Sequence, residues 1–347
     1  MDIVKRFLNY TQFDTQSSET SDTVPSTDKQ LIFAKFLKKE LENEGLKDVE
    51  MDSMGYIYAT LPANTKKDIP TIGFISHYDV SPDCSGKDIK PRIIDNYDGN
   101  DIELSPGIIS SPKQFPELLD HKGEDIIVTD GTTLLGADDK AGVAEIMVLC
   151  EKLIAGEIPH GPISVCFTPD EEIGEGTRGL DPARFGVTRA FTVDGGAPNT
   201  VVTANFNAAR AEYRVTGVSV HPGSAKNKMV SAIKVATEIL DALPAEECPE
   251  KTAGREGFFH VTELKGGVSS ATLKLIVRDH NAAHFEVRKR TLRTIAEEVR
   301  KRHPRAVVEL EVADQYRNME EKIAQVPFLV EEAKAAIRAA GLEPEIK

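Results

Sequence analysis

The chain has 347 residues, 40% of them hydrophobic and 28% charged, with 42 basic against 56 acidic side chains and a formal net charge of −14. That length favours two domains over a single core. The excess negative charge argues against binding nucleic acid or anionic lipid and leaves small neutral or cationic partners. No run approaches the roughly 18 apolar residues of a membrane span, and "MDIVKRFLNYTQ" has neither the apolar core nor the cleavage site of a signal peptide. Cys84, Cys150, Cys166 and Cys248 lie far apart, with no C-x-x-C, and read as reduced thiols of a cytoplasmic protein.

In chain order, Ile3, Val4, Phe7 and Leu8 predict a first helix. The polar "SSETSDTVPST" is a loop. Thr27 and Gln30 have capping-box spacing, and Leu31, Ile32, Phe36, Leu37 and Leu41 trace one face of a second helix that Gly45 ends. "GYIYATLPA" and "IPTIGFISHYDV" read as strands, the second apolar enough for a sheet covered on both faces. "DIIVTD" is a third extended piece. "LLGADDKAGVAEIMVLCEKLIAG" contains a helix apolar nearly all round from Val143 to Ile154, which predicts burial. "GPISVCFTPDEE" and "TRAFTVDGG" are two more short strands, so residues up to about 205 alternate strand and helix as an α/β domain with a parallel or mixed sheet does. Beyond Asn205 the order becomes strand, helix, strand, strand, helix, strand, the split pattern of a ferredoxin-like domain. The tail returns to a helix with apolar Val326, Phe328, Leu329, Ala333 and Ile337.

Chemistry concentrates where apolar strands end. His77 and Asp79 close one strand, Asp138 and Asp139 follow "TTLLGA", Glu171 and Glu172 follow "ISVCFTPD", and Asp194 closes "AFTV". Ligands of open α/β sheets bind beyond the carboxyl ends of the strands, so these groups are expected to converge. One imidazole and several carboxylates suit a divalent metal, zinc first, with cobalt or manganese as substitutes. At i and i+2, Asp79 can accept from the ring nitrogen of His77 that faces away from a metal. Of the neighbours Glu171 and Glu172, one can hold metal while the other serves as general base. "GEGTRG" satisfies G-x-G-x-x-G, yet Pro182 stands where a phosphate-binding helix would be under way; "HNAAH" lacks the glutamate of a zinc-protease helix.

"SHYDVSPD", "LLGADDKAGVAEIM", "FTPDEEIGEG", "TVDGG" and "VHPGSAK", in this order, resemble the di-zinc exopeptidases that include carboxypeptidase G and succinyl-diaminopimelate desuccinylase. The likeness is greatest to their tripeptide aminopeptidase branch. It implies a catalytic zinc-binding domain over 1–205 and 318–347, with a mixed central sheet flanked by helices, and an inserted ferredoxin-like lid and dimerisation domain over 206–317. It also implies His77 and Asp194 as ligands of one zinc, Asp138 as the bridging carboxylate and Glu172 as a ligand of the second. Asp79 would orient His77, Glu171 would be the general base, and the Asp138–Asp139 peptide would be cis. His221 would donate to the oxyanion, often across a homodimer, and Arg278 would hold the substrate's terminal carboxylate.

The implied activity is release of the N-terminal residue of tripeptides. A dipeptidase or an N-acyl-amino-acid amidohydrolase of the same fold is the alternative. The family's second zinc takes one further histidine after a Gly-Gly-Thr-Asp-Gly turn. No histidine follows His303 here, and the chain stops at "GLEPEIK". The expectation is a truncated form with an incomplete second site. A natural short variant that binds metal or peptide without catalysis is the other reading.

Overall fold

The computed structural model describes residues 2–156 and 158–347. The chain forms two compact units, Met1–Gly196 and Ala197–Lys347. Among the described residues, no helix is long and apolar enough to cross a membrane.

The first unit runs α1 (Ile3–Thr11), α2 (Asp28–Glu44), β1 (Lys47–Met51), β2 (Ile57–Leu61), β3 (Ile72–His77), β4 (Arg92–Ile94), β5 (Ile102–Ser105), β6 (Ile108–Ser110), β7 (Ile126–Val128), α3 (Ala137–Ile154), β8 (Ile163–Thr168), α4 (Pro182–Phe185) and β9 (Ala190–Thr192). Its central sheet has the order β1-β2-β8-β3-β9. β1, β2 and β8 pair antiparallel, whereas β3 runs parallel to both β8 and β9, so the sheet is mixed, as the strand-helix alternation predicts. β4 with β7 and β5 with β6 form separate two-stranded ribbons, so "DIIVTD" lies outside the main sheet. Helices α1, α2 and α3 cover one face through Phe7, Tyr10, Phe33, Leu37, Val143 and Met147. A smaller cluster of Tyr56, Tyr58, Cys166 and Phe185 covers part of the other.

Two local expectations need correction. Thr27 precedes α2 but makes no side-chain cap. Its hydroxyl donates to Gln16 O, and the Gln30 amide is drawn 2.7 Å from Asp170 Oδ1. The buried face of α2 also differs: Ile32 is 63% exposed, while Phe33 and Ala34 are buried. Tyr10, Phe13 and Tyr78 pack their rings on Phe33, so aromatic contacts from three other segments choose the face.

The second unit comprises β10 (Thr200–Val201), β11 (Asn207–Thr216), α5 (Ala232–Asp241), β12 (Phe258–Gly266), β13 (Ser270–Asp279), α6 (Ala282–Arg302), β14 (Val307–Tyr316), α7 (Glu320–Ile323), α8 (Pro327–Ala339) and β15 (Glu345–Ile346). Its four-stranded antiparallel sheet has the order β12-β13-β11-β14, the ferredoxin-like arrangement. Alternate residues of β11 (Ala209, Ala211, Tyr213 and Val215) face the buried side, in one cluster with Val235 and Ile239 of α5 and Phe285 and Leu292 of α6. α8 forms where its apolar spacing places it, but none of its residues is buried. β15 pairs in parallel with β10.

Candidate active site

Parallel pairing explains why the expected residues meet. β3 and β8 are in register with His77 opposite Thr168, and β9 ends beside Ile75, so the chain leaves all three strands at one edge of the sheet. His77 is the last residue of β3. Glu171 and Glu172 open a short 3-10 turn three residues past β8, and Asp194 lies two residues past β9. Asp138 and Asp139 stand at the start of α3 with non-helical backbone angles, and the peptide between them is cis, as the family resemblance implies.

Gly142 sets how closely α3 approaches this edge. A Cβ there would lie 2.1 Å from Val193 O and 2.4 Å from Asp139 Oδ1, so only glycine lets the helix start pack under the end of β9. Asp139 faces inward. It accepts from Ser76 Oγ at 2.5 Å and from the amide of Gly142 at 3.1 Å, which leaves Asp138 to face the open edge.

His77 Nε2 lies 2.8 Å from Asp138 Oδ1 and 3.9 Å from both Glu171 Oε2 and Asp194 Oδ2. Its Nδ1 is 3.3 Å from Asp79 Oδ1, within ion-pair range but outside hydrogen-bonding geometry. The fully buried Asp79 carboxylate also accepts from the amides of Glu171 at 2.9 Å and Glu172 at 3.2 Å. One acidic side chain therefore spans the imidazole and the Glu-Glu turn. Donor atoms of His77, Asp138 and Glu172 lie within 4.8 Å of one another, as do those of His77, Glu171 and Asp194.

So much negative charge in a half-buried space moves the titrations. Burial raises the Glu171 and Asp194 carboxyls. Burial and then Asp138 push Glu172 up to about 7, and burial holds Asp139 at about 8. Asp138 moves down, because it is hydrogen-bonded to His77. Burial works to lower the His77 imidazole, but the hydrogen bond to Asp138 and then the charge of the adjacent Asp79 prevail and carry it to about 11. A divalent cation relieves this arrangement directly, because it neutralises converging carboxylates and replaces the proton on the imidazole. An imidazole nitrogen and carboxylate oxygens, with no thiolate, fit such an ion.

In the second unit, His221 Nδ1 accepts from the amide of Gly223 at 3.1 Å, which assigns the ring proton to Nε2. Arg278 lies on the sheet, where its Nη1 donates to Ala209 O, Val277 O and Gln315 Oε1 and its guanidinium covers the Tyr316 ring. Sequence reasoning missed Ser76, which holds Asp139, and the pair Ser26 and Gln30, which hold Asp170. Only Gln30 stood out in the sequence, as half of a capping box that does not form, and nothing in the local pattern marked it as a partner of Asp170.

A mixed sheet with an imidazole and carboxylates at its carboxyl edge, in one chain with a ferredoxin-like unit, is the architecture of an M20-type peptidase. The M20 peptidase dimerisation domain matches residues 203–307. A peptidase T of Clostridium botulinum is 50% identical over 99% of this chain and 85% of its own length. The aminopeptidase PepT of Bacillus cereus superposes with a TM-score of 0.73 at 26% identity, over 99% of this chain and 83% of that one. A tripeptidase of Staphylococcus aureus gives a TM-score of 0.76 at 22% identity with the same two coverages, a likeness of fold. The chain belongs to the peptidase T family of peptide hydrolases.

Proposed function

We propose that the chain releases the N-terminal residue of tripeptides, the activity its family membership points to, at the edge where His77, Asp138, Glu171, Glu172 and Asp194 meet. The observation that carries this reading is the convergence of one imidazole and four carboxylates from separate segments, in a chain half identical to a peptidase T. His77 and Asp194 hold one divalent ion, zinc by the chemistry of the donors, with cobalt or manganese able to replace it. Asp138 and Glu172 would supply the ligands this chain has for a second ion. Bound there, the ions supply an acidified water and a polarised scissile carbonyl.

Glu171 takes the water's proton and passes it to the leaving amine, a role suited to a carboxyl that burial raises above its ordinary value. Asp79 orients His77 and fixes the amide of Glu171, so the ligand and the base share one support. His221, protonated at Nε2, donates to the developing oxyanion, and Arg278 takes the terminal carboxylate of the substrate. Residues 1–205 and 318–347 make up the catalytic domain, and residues 206–317 join two chains in a cytoplasmic homodimer.

The deciding assay compares trialanine, N-acetyl-trialanine and dialanine on zinc-loaded protein. Release of alanine from trialanine, with the acetylated form inert, is the expected result. Equal cleavage of the acetylated peptide supports an amidohydrolase, faster cleavage of dialanine a dipeptidase, and no cleavage despite bound zinc a binding protein.

A further inference from the structure

The side chains of Glu171 and Glu172 are half-buried at most, so the protein must place them through their backbone. Asp79 fixes that backbone on one side. On the other stands Asp170, which the catalytic scheme does not use. Its carboxylate is fully buried, its backbone is left-handed at φ 56°, and it closes the turn by accepting the Glu175 amide at 2.9 Å on its own carbonyl. Asp170 Oδ2 accepts from the Ser26 amide at 2.6 Å, and Oδ1 accepts from Ser26 Oγ at 2.5 Å and Gln30 Nε2 at 2.7 Å. Ser26 follows a cis-proline, and Ser18 N and Gln30 Nε2 both donate to its hydroxyl. The partners of Asp170 thus come from a segment about 140 residues earlier in the chain.

We propose that Asp170 is a positioning residue: tied to Ser26 and Gln30, it anchors the start of the Glu171–Glu172 turn as Asp79 anchors its amides, so that general base and metal ligand are held between two buried carboxylates. The inference rests on the roles proposed for Glu171 and Glu172. Its chemical sense is that a base must stay within hydrogen-bond reach of its proton, and a shift of about 1 Å can cost about 100-fold in rate. Burying a second carboxylate beside an acidic cluster is unfavourable by itself, and Asp170 is tolerated because three donors converge on it.

Asp170→Asn tests this directly. Asparagine keeps the size and tolerates the left-handed backbone, but its amide must turn NH2 toward Ser26 N or toward the donors at Oδ1. Ser26→Ala is the milder partner, since it removes one donor and leaves the carboxylate in place. In metal-free protein, hydrogen exchange of the 170–176 segment should quicken roughly 10- to 100-fold in Asp170→Asn and less in Ser26→Ala, with β8 and α3 unchanged. In zinc-loaded protein, kcat on trialanine should fall roughly 10- to 100-fold with KM within about twofold of wild type. Unchanged exchange and kcat in both variants overturn the proposal. So does faster exchange across the whole first unit with a matching loss of active fraction, because that is a general packing role. A loosened turn in a protein whose wild type cleaves no peptide upholds the anchoring and sinks the peptidase reading instead.

Discussion

Gly142→Ala is the sharpest test of how the site is built. Glycine inside a helix costs about 1 kcal/mol relative to alanine, so propensity alone predicts a stabilised protein. The structure predicts the opposite. The new methyl would stand 2.1 Å from Val193 O and 2.4 Å from Asp139 Oδ1, where ordinary contact begins at 3.4 Å. Neither neighbour is the free end of a flexible chain. Val193 is held by its own amide donating to Ile75 O at 2.8 Å, and the Asp139 carboxylate is held by Ser76 at 2.5 Å. Relief therefore requires moving backbone, which costs about 1–3 kcal/mol for one methylene of overpacking. Displacing Asp139 from the Gly142 amide adds about 1–3 kcal/mol for a buried donor left unsatisfied. After the helix gain of about 1 kcal/mol is subtracted, a net loss of about 1–5 kcal/mol remains. Urea unfolding followed by circular dichroism should show the midpoint of the first unit falling. Calorimetric zinc titration should show weaker binding, since Asp138 and Asp194 are neighbours of the atoms that must move. A variant as stable as wild type or more so, with unchanged zinc affinity, would refute the close approach of α3 to the end of β9.

Glu171→Gln should lower kcat on trialanine by roughly 10²- to 10⁴-fold while zinc content stays at the wild-type level; loss of zinc instead would exchange the roles of Glu171 and Glu172. Removing metal with a chelator should abolish turnover, and zinc or cobalt should restore it, as seen by assaying the dialysed protein before and after each addition. Lys140 gives a pH test. Its ammonium is fully buried, donates to Phe13 O at 2.7 Å, and burial lowers its pKa from 10.5 to about 7. Between those values the unfolded chain holds a proton that the folded protein lacks, so this group adds stability as pH rises from 7 to 10.5 and costs most below 7. Lys140→Met should lose that slope in urea melts of metal-free protein taken from about pH 7 to about pH 10. Parallel profiles for the two proteins would mean that the amine keeps its charge when folded.

The strand-end acids were legible because two local facts coincide in them. A continuous apolar run reports a covered strand, and a polar residue at its end reports an edge, with no need to know which strands pair. Parallel register then makes His77, Glu171 and Asp194 neighbours, and α3, which lies between β3 and β8 in chain order, starts beside them with Asp138 on His77. The face of α2 was not legible, since the residues that decide it lie elsewhere in the chain. Phe33 wins over Ile32 through Tyr10, Phe13 and Tyr78, and a polar Gln30 occupies the same buried face to reach Asp170.

From the order of its residues alone, this protein declares an α/β unit, a ferredoxin-like unit and a set of side chains suited to a divalent metal. Periodicity and strand-end chemistry are properties of neighbours in sequence. What only the folded chain decides is how those side chains are held. Asp79 spans His77 and the Glu-Glu turn, Asp170 ties that turn to Ser26, and Gly142 admits the start of α3 beneath Val193. Each of these supports joins segments about 50 to 145 residues apart. A hydrogen bond or a steric gap between such segments leaves no mark in local pattern, because it exists only after the backbone has closed around it.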